Sequence, residues 1–173
     1  MAISAHQRLD DYASQRIVVA SGNLVTVEVT PVLTVAATYA ANDFVGTSAT
    51  AMTFAGCARV NGGTGVILGA TMIDKSAATG VAGELWVFNA APAGLPADSA
   101  AFTFTDAFTP LCVIPFSTWY GSALNCVSNG VPAFPTPFEC TSLVDDLYGA
   151  FVTRGAPAYA SLDIMFRLCI LQD

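Results

Sequence analysis

Asn23-Leu24-Val25-Thr26-Val27-Glu28-Val29-Thr30 decides the fold class. Val25, Val27 and Val29 alternate with Thr26, Glu28 and Thr30, the period-two pattern of a strand with one face buried. Pro31 follows at once and removes a ladder donor, as at a strand edge or bulge. The same pattern recurs outward from this stretch. Val32 to Ala36 is a second short run, and Asn42-Asp43 and Gly46 bracket Phe44-Val45. Asn61-Gly62-Gly63-Thr64-Gly65 reads as a hairpin turn. It leads into Val66-Ile-Leu-Gly-Ala-Thr-Met-Ile73, which is apolar on both faces and predicts a central strand covered on both sides.

Glu84-Leu-Trp-Val-Phe-Asn89 is a further strand with bulky groups on both faces, and residues 91–98 read as a loop. Later strand runs are Phe102 to Thr105, Leu111 to Phe116, Leu124 to Val127, Leu147 to Thr153 and Ile164 to Leu171. Asn129-Gly130 reads as a turn, and Pro132, Pro135 and Pro137 make residues 131–138 an extended, stiff loop. Some eight to ten short strands with no long helical period between them predict an all-β fold, an antiparallel β-sandwich of jelly-roll-like type, over residues 21–173. Residues 1–20 stand apart. They hold His6, Arg8, Arg16 and the Asp10-Asp11 pair but no Gly or Pro, and Leu9, Tyr12, Ala13, Arg16 and Ile17 fall on one helical face. That segment is expected to be an N-terminal arm or short helix.

Composition narrows the function. The chain has 173 residues, 54% hydrophobic and 11% charged, with a net charge of -7. So few charges on a folded surface imply that other subunits cover part of it. One Lys and five Arg in an acidic chain do not supply a phosphate-neutralising face, so nucleic acid is not an expected partner. No run approaches about 18 consecutive apolar residues, which argues against a helical membrane span. The first residues lack the basic region and apolar stretch of a signal peptide, so synthesis in the cytoplasm is the expectation. Cys57, Cys112, Cys126, Cys140 and Cys169 are scattered, without C-x-x-C spacing, and read as buried free thiols.

Catalytic chemistry finds little to stand on. The single histidine, His6, has no fixed acid partner in the sequence, and no Gly-x-Ser-x-Gly elbow occurs. Cys57 or Cys140 as a nucleophile needs a base that the sequence does not show. The glycines at 62–69 precede β-branched residues and lack phosphate-loop spacing. Asp98, Asp106, Asp145 and Asp146 lie in loops without calcium-loop spacing. The expectation is therefore a non-enzyme with no catalytic residue, no cofactor and no metal site.

Contact residues are more legible. Trp119-Tyr120 and the loop aromatics Phe134 and Phe138 are interface candidates, because aromatics bury large area at low entropic cost and prolines hold the loop stiff. Leu9, Tyr12, Arg16 and Ile17 are candidates for an arm that docks on a neighbour. Core packing is the competing reading for Trp119.

Several stretches resemble small proteins that tailed bacteriophages encode beside the major capsid gene. They are Thr26-Val-Glu-Val-Thr-Pro31, Tyr39-Ala-Ala-Asn-Asp-Phe-Val-Gly46, Gly62-Gly-Thr-Gly-Val-Ile67 with Asp74-Lys75, Glu84-Leu-Trp-Val-Phe-Asn89, Leu147-Tyr-Gly-Ala-Phe-Val-Thr153 and Leu168-Cys-Ile-Leu-Gln-Asp173. The resemblance implies a structural virion protein on the capsid surface, a cement or decoration protein that bridges capsomers. It further implies the major capsid protein as partner and a homotrimer as the assembled form. A carbohydrate-binding or host-adhesion module, with a glycan as ligand, is the alternative; a head-fibre or tail component is another.

Overall fold

The computed structural model describes residues 22–33, 37–47, 49–76, 80–103 and 110–173. Thirteen strands are assigned there, in chain order β1 (Asn23–Val29), β2 (Ala37–Thr38), β3 (Phe44–Val45), β4 (Met52–Phe54), β5 (Thr64–Asp74), β6 (Gly83–Phe88), β7 (Cys112–Phe116), β8 (Trp119–Gly121), β9 (Cys126–Gly130), β10 (Thr136–Glu139), β11 (Leu147–Thr153), β12 (Ala158–Tyr159) and β13 (Ile164–Gln172). The described residues contain no helix. The expected arm or helix, with Leu9, Tyr12, Arg16 and Ile17, lies outside them.

Two antiparallel sheets pack face to face. The first runs β1-β13-β5-β9-β8, with β10 on β5 beyond the end of β9. The second runs β3-β11-β6-β7, with β4 also on β11. A small ladder joins β2 and β12. Because β3 and β4 both pair with β11, they are two halves of one strand. Counting them as one and setting aside the short β2, β8, β10 and β12 leaves eight main strands, and every step along the chain except that from β6 to β7 changes sheet. The first sheet takes the first, eighth, third and sixth of these, and the second takes the second, seventh, fourth and fifth. That is jelly-roll order, as expected.

Period-two alternation places the core. On β13, Ile164, Phe166, Leu168 and Ile170 are all buried and the residues between them are half-buried. They meet Leu85, Val87, Ile114, Phe116 and Phe151 of the second sheet in one apolar cluster. Phe151 and Phe166 are 5.0 Å apart between ring centroids, tilted as aromatic pairs prefer.

Four local expectations are corrected. Asn129-Gly130 is not a turn; both residues lie inside β9. There Gly130 is needed for close approach, since a Cβ would sit 2.5 Å from the Pro115 carbonyl oxygen of β7. The Asn61–Gly65 turn is real, with Gly62 at φ +70°, but it makes no hairpin. It carries the chain from β4 in the second sheet to β5 in the first. The strand over Val66–Ile73 is central, yet its outer side is open, and Leu68 is 37% exposed. Leu68 is the extra residue of a bulge, since Cys169 pairs with Gly69 and Ile170 with Ile67. Phe138, expected at an interface, is buried in the core cluster. Its ring lies over Gly65, its cross-strand partner, where a side chain would come within 2.8 Å.

Candidate interaction surface

The two outer faces of the sandwich differ. The second sheet is covered by its own chain. After β6 the segment 89–103 returns across it, setting Leu95 and Phe102 on Phe44, Phe88, Trp86, Tyr148 and Ala150 in a separate small cluster. The Trp86 and Phe102 rings lie 5.4 Å apart. Trp86 therefore belongs to this outer cluster rather than to the main core.

Asp98 fastens the cover. It is buried, and its carboxylate accepts from the Tyr39 hydroxyl at 2.9 Å and from the Gly46 N–H at 3.2 Å. Burial, then Asp98, pushes the Tyr39 phenol well above its ordinary range, so it stays a donor. Main-chain bonds add to this, from Phe44 N–H to the Ala100 carbonyl at 2.9 Å and from Phe102 N–H to the Asn42 carbonyl at 2.7 Å. At the margin Arg154 pairs with Glu84 at 2.5 Å and also donates to Asn42. The Arg154 hydrogen bond holds the Glu84 carboxyl below its usual value.

Among the described residues nothing comparable lies over the first sheet. Ladder register sorts its outward residues into four rows from one end to the other. The first is Leu24, Leu171, Val66 and Pro137; the second is Thr26, Cys169 and Gly69, continued by Val131 just past the end of β9. The third is Glu28, Arg167, Thr71 and Asn129, and the last is Met165, Ile73, Val127 and Tyr120. Leu24 and Tyr120 are 62% and 67% exposed. In the third row Arg167 pairs with Glu28 at 2.7 Å, and the Thr71 hydroxyl donates to Asn129 at 2.8 Å. A groove of about 510 Å³ lined by Thr26, Glu28, Thr71, Arg167 and Cys169 runs between the apolar rows. The face thus carries one polar, internally neutralised row, Glu28–Arg167–Thr71–Asn129, between the apolar last row and a broader apolar region that takes in Leu68 and Val131.

The interface candidates divide accordingly. Tyr120 is on this face. Phe134, 64% exposed, stands in the segment that steps from β9 to β10 along β5. Val131, at the start of that segment, comes 3.4 Å from where a Cβ on Gly69 would lie, so it borders the same face. Trp119 points the other way. It packs against the main core, and Gly80 lies so near the indole that a Cβ there would be 2.2 Å away. The core reading holds for Trp119, as for Phe138. Sequence reasoning missed Leu24, Leu171, Val66, Ile73 and Val127. Their signal was present: Leu24 shares the Thr26–Glu28 side of the opening strand, so that side is not uniformly polar.

Four of the five thiols are held in the protonated form. Burial pushes Cys57 up to about 12 and Cys112 and Cys140 to about 11, and it also raises Cys126. Asp98 serves the cover, and Asp146 accepts the Gly56 N–H at 3.1 Å. No protein-family model, curated protein or solved structure matches this chain. What the face does has to follow from its own chemistry.

Proposed function

We propose that this protein is a structural component of a phage virion, a cement or decoration protein that lies on the capsid and stabilises the shell by bridging capsomers. One observation carries the reading: an acidic, charge-poor jelly roll covers one sheet with its own chain and, among the described residues, leaves the other uncovered, neutral and rich in apolar residues. Such a molecule suits life inside an assembly, where neighbours hide that face. The jelly roll occurs in viral capsid and lectin domains, which makes the fold compatible with this role by analogy only. Differential binding supplies the mechanism. Contacts that form only on the assembled shell lower its free energy relative to the disassembled parts, and the shell then resists internal pressure longer.

The test is particle stability. Particles lacking the protein should release DNA at a lower temperature than complete ones, and adding the purified chain back should restore the difference. Identical release temperatures would sink the cement role. A host-adhesion module is the second reading, favoured by the exposed aromatics Tyr120 and Phe134. It is weakened by the inward Trp119, and it requires glycan binding that Tyr120→Ala abolishes.

A further inference from the structure

We infer that the open edge of β1 takes up an extended segment of a partner chain, neutral or basic and apolar at alternate positions, as one more antiparallel strand of the first sheet. This deepens the assembly role proposed above, and rests on it for where such a chain is met, by naming how a neighbour attaches. A free strand edge is a row of N–H and C=O groups that templates pairing with another chain, so sandwiches keep their edges short or broken. Among the described residues the other edges of the two sheets follow that rule. β8 runs three residues, β10 four with Pro137 among them, β3 and β4 two and three, and β7 five with Pro115 exposed. β1 runs seven residues without Pro or Gly, and its pairing with β13 is unbroken. It ends the first sheet, and among the described residues no main-chain group on its outer side has a partner. Its one charge, Glu28, is neutralised by Arg167 of β13 rather than left to repel a neighbour.

The core is unfinished along the same edge. Val25, Val27 and Val29 share their inward row with Ile170, Leu168 and Phe166, their partners on β13. The β13 residues are fully buried, while the three valines pack on the same core and stay half-buried. A further strand that is apolar where it faces inward carries the row on and covers them. Only an extended chain fits this edge. Seven residues rise about 23 Å, and alternate residues face outward, so a paired strand gains about six to eight main-chain bonds. Those bonds supply affinity, and the alternate side chains supply specificity. Antiparallel order continues that of the sheet. The net charge of -7 selects the sign: a neutral or basic segment approaches freely, whereas an acidic one, a second copy of this chain included, is repelled.

The experiment mixes the full chain with a peptide of about nine residues, alternating valine and threonine between terminal lysines, and follows calorimetry and amide hydrogen exchange. Every second amide of β1, on its open side, should exchange fast in the free protein and slow at least about tenfold with peptide. The amides bonded to β13 should not change. N-methylation of the peptide's valines or of its threonines, whichever set faces β1, should abolish binding, and methylation of the other set should not. Terminal glutamates in place of the lysines should weaken it several-fold. In the protein, Thr26→Pro and Val27→Pro divide in the same way, because successive N–H groups point to opposite sides of a strand. The variant that loses an open-side N–H should stay folded by circular dichroism and lose the peptide. No slowing of β1 exchange at about 1 mM peptide, equal binding by both methylated peptides, or equal binding by the glutamate peptide overturns the inference. So does protection of β1 that grows with protein concentration alone, which gives the edge to a second copy. The particle-release assay judges the cement role separately. Peptide binding with unchanged DNA release removes the capsid reading alone, and particle protection by a chain whose β1 takes no strand removes this inference alone.

Discussion

Tyr39 and Tyr159 lie 5.8 Å apart between ring centroids, both buried, and their hydroxyls meet different surroundings. Tyr39 donates to Asp98, which in turn holds the cover over the second sheet. The Tyr159 hydroxyl makes no hydrogen bond of ordinary geometry among the described residues; burial first, then the nearby Asp74 carboxylate, raises its pKa. Asp74 instead accepts the Ser76 N–H at 2.9 Å and the Ser76 hydroxyl at 2.6 Å. Removing a donor from a buried carboxylate costs more than removing an unpartnered hydroxyl. Tyr39→Phe should therefore lose about 1.5–3 kcal/mol in urea unfolding, while Tyr159→Phe should stay within about 0.5 kcal/mol of wild type. Equal losses would show that the two hydroxyls are equally engaged. Neither fate was legible in the sequence, because each depends on residues 59 or more positions away.

At the scale of elements, what could be read depended on whether local pattern or distant packing decided the outcome. The opening strand and the strands over Leu147–Thr153 and Ile164–Leu171 follow from their own apolar pattern, and the structure has them nearly to the residue as β1, β11 and β13. The Asn129-Gly130 pair is a strong turn signal that lost to packing. Gly130 sits where β9 crosses closest to β7, so its missing side chain serves an approach between sheets rather than a bend. The open side of β5 was misread for a related reason. An uninterrupted apolar run looks the same whether its second face is covered by the chain itself or awaits a partner. Trp119 and Phe138 also look like contact residues locally, and only pairing with Ser128 and Gly65 turns them inward. Gly130→Ala tests the close approach directly. Its Cβ would meet backbone at 2.5 Å, and Ile114 Cγ2 at 2.6 Å, so the sheets must part. The expected cost is about 1–3 kcal/mol in the same unfolding assay, and a neutral outcome would show that β7 and β9 slide apart freely.

For the whole molecule, the decisive property is the contrast between a strongly acidic body and a neutral face. Association through charged pairs weakens as salt rises, because screening shortens the reach of attraction to about 3 Å at 1 M. Here the sign is reversed. Two bodies of charge -7 repel at long range, while any contact through this face would rest on apolar residues and on an ion pair already closed within each copy. Screening removes the repulsion and leaves the contact, and salts that strengthen apolar burial add to the effect. Raising sodium chloride from about 20 mM to about 500 mM, well past a Debye length of about 10 Å at 0.1 M, should strengthen association of copies in sedimentation rather than weaken it. Lowering the pH toward the sequence pI of about 4.3 should act in the same direction, by discharging the carboxylates that repel. Weaker association in high salt would mean that charged pairs between neighbours, Glu28 and Arg167 among the candidates, hold the copies together. In that case Arg167→Gln should abolish the salt dependence.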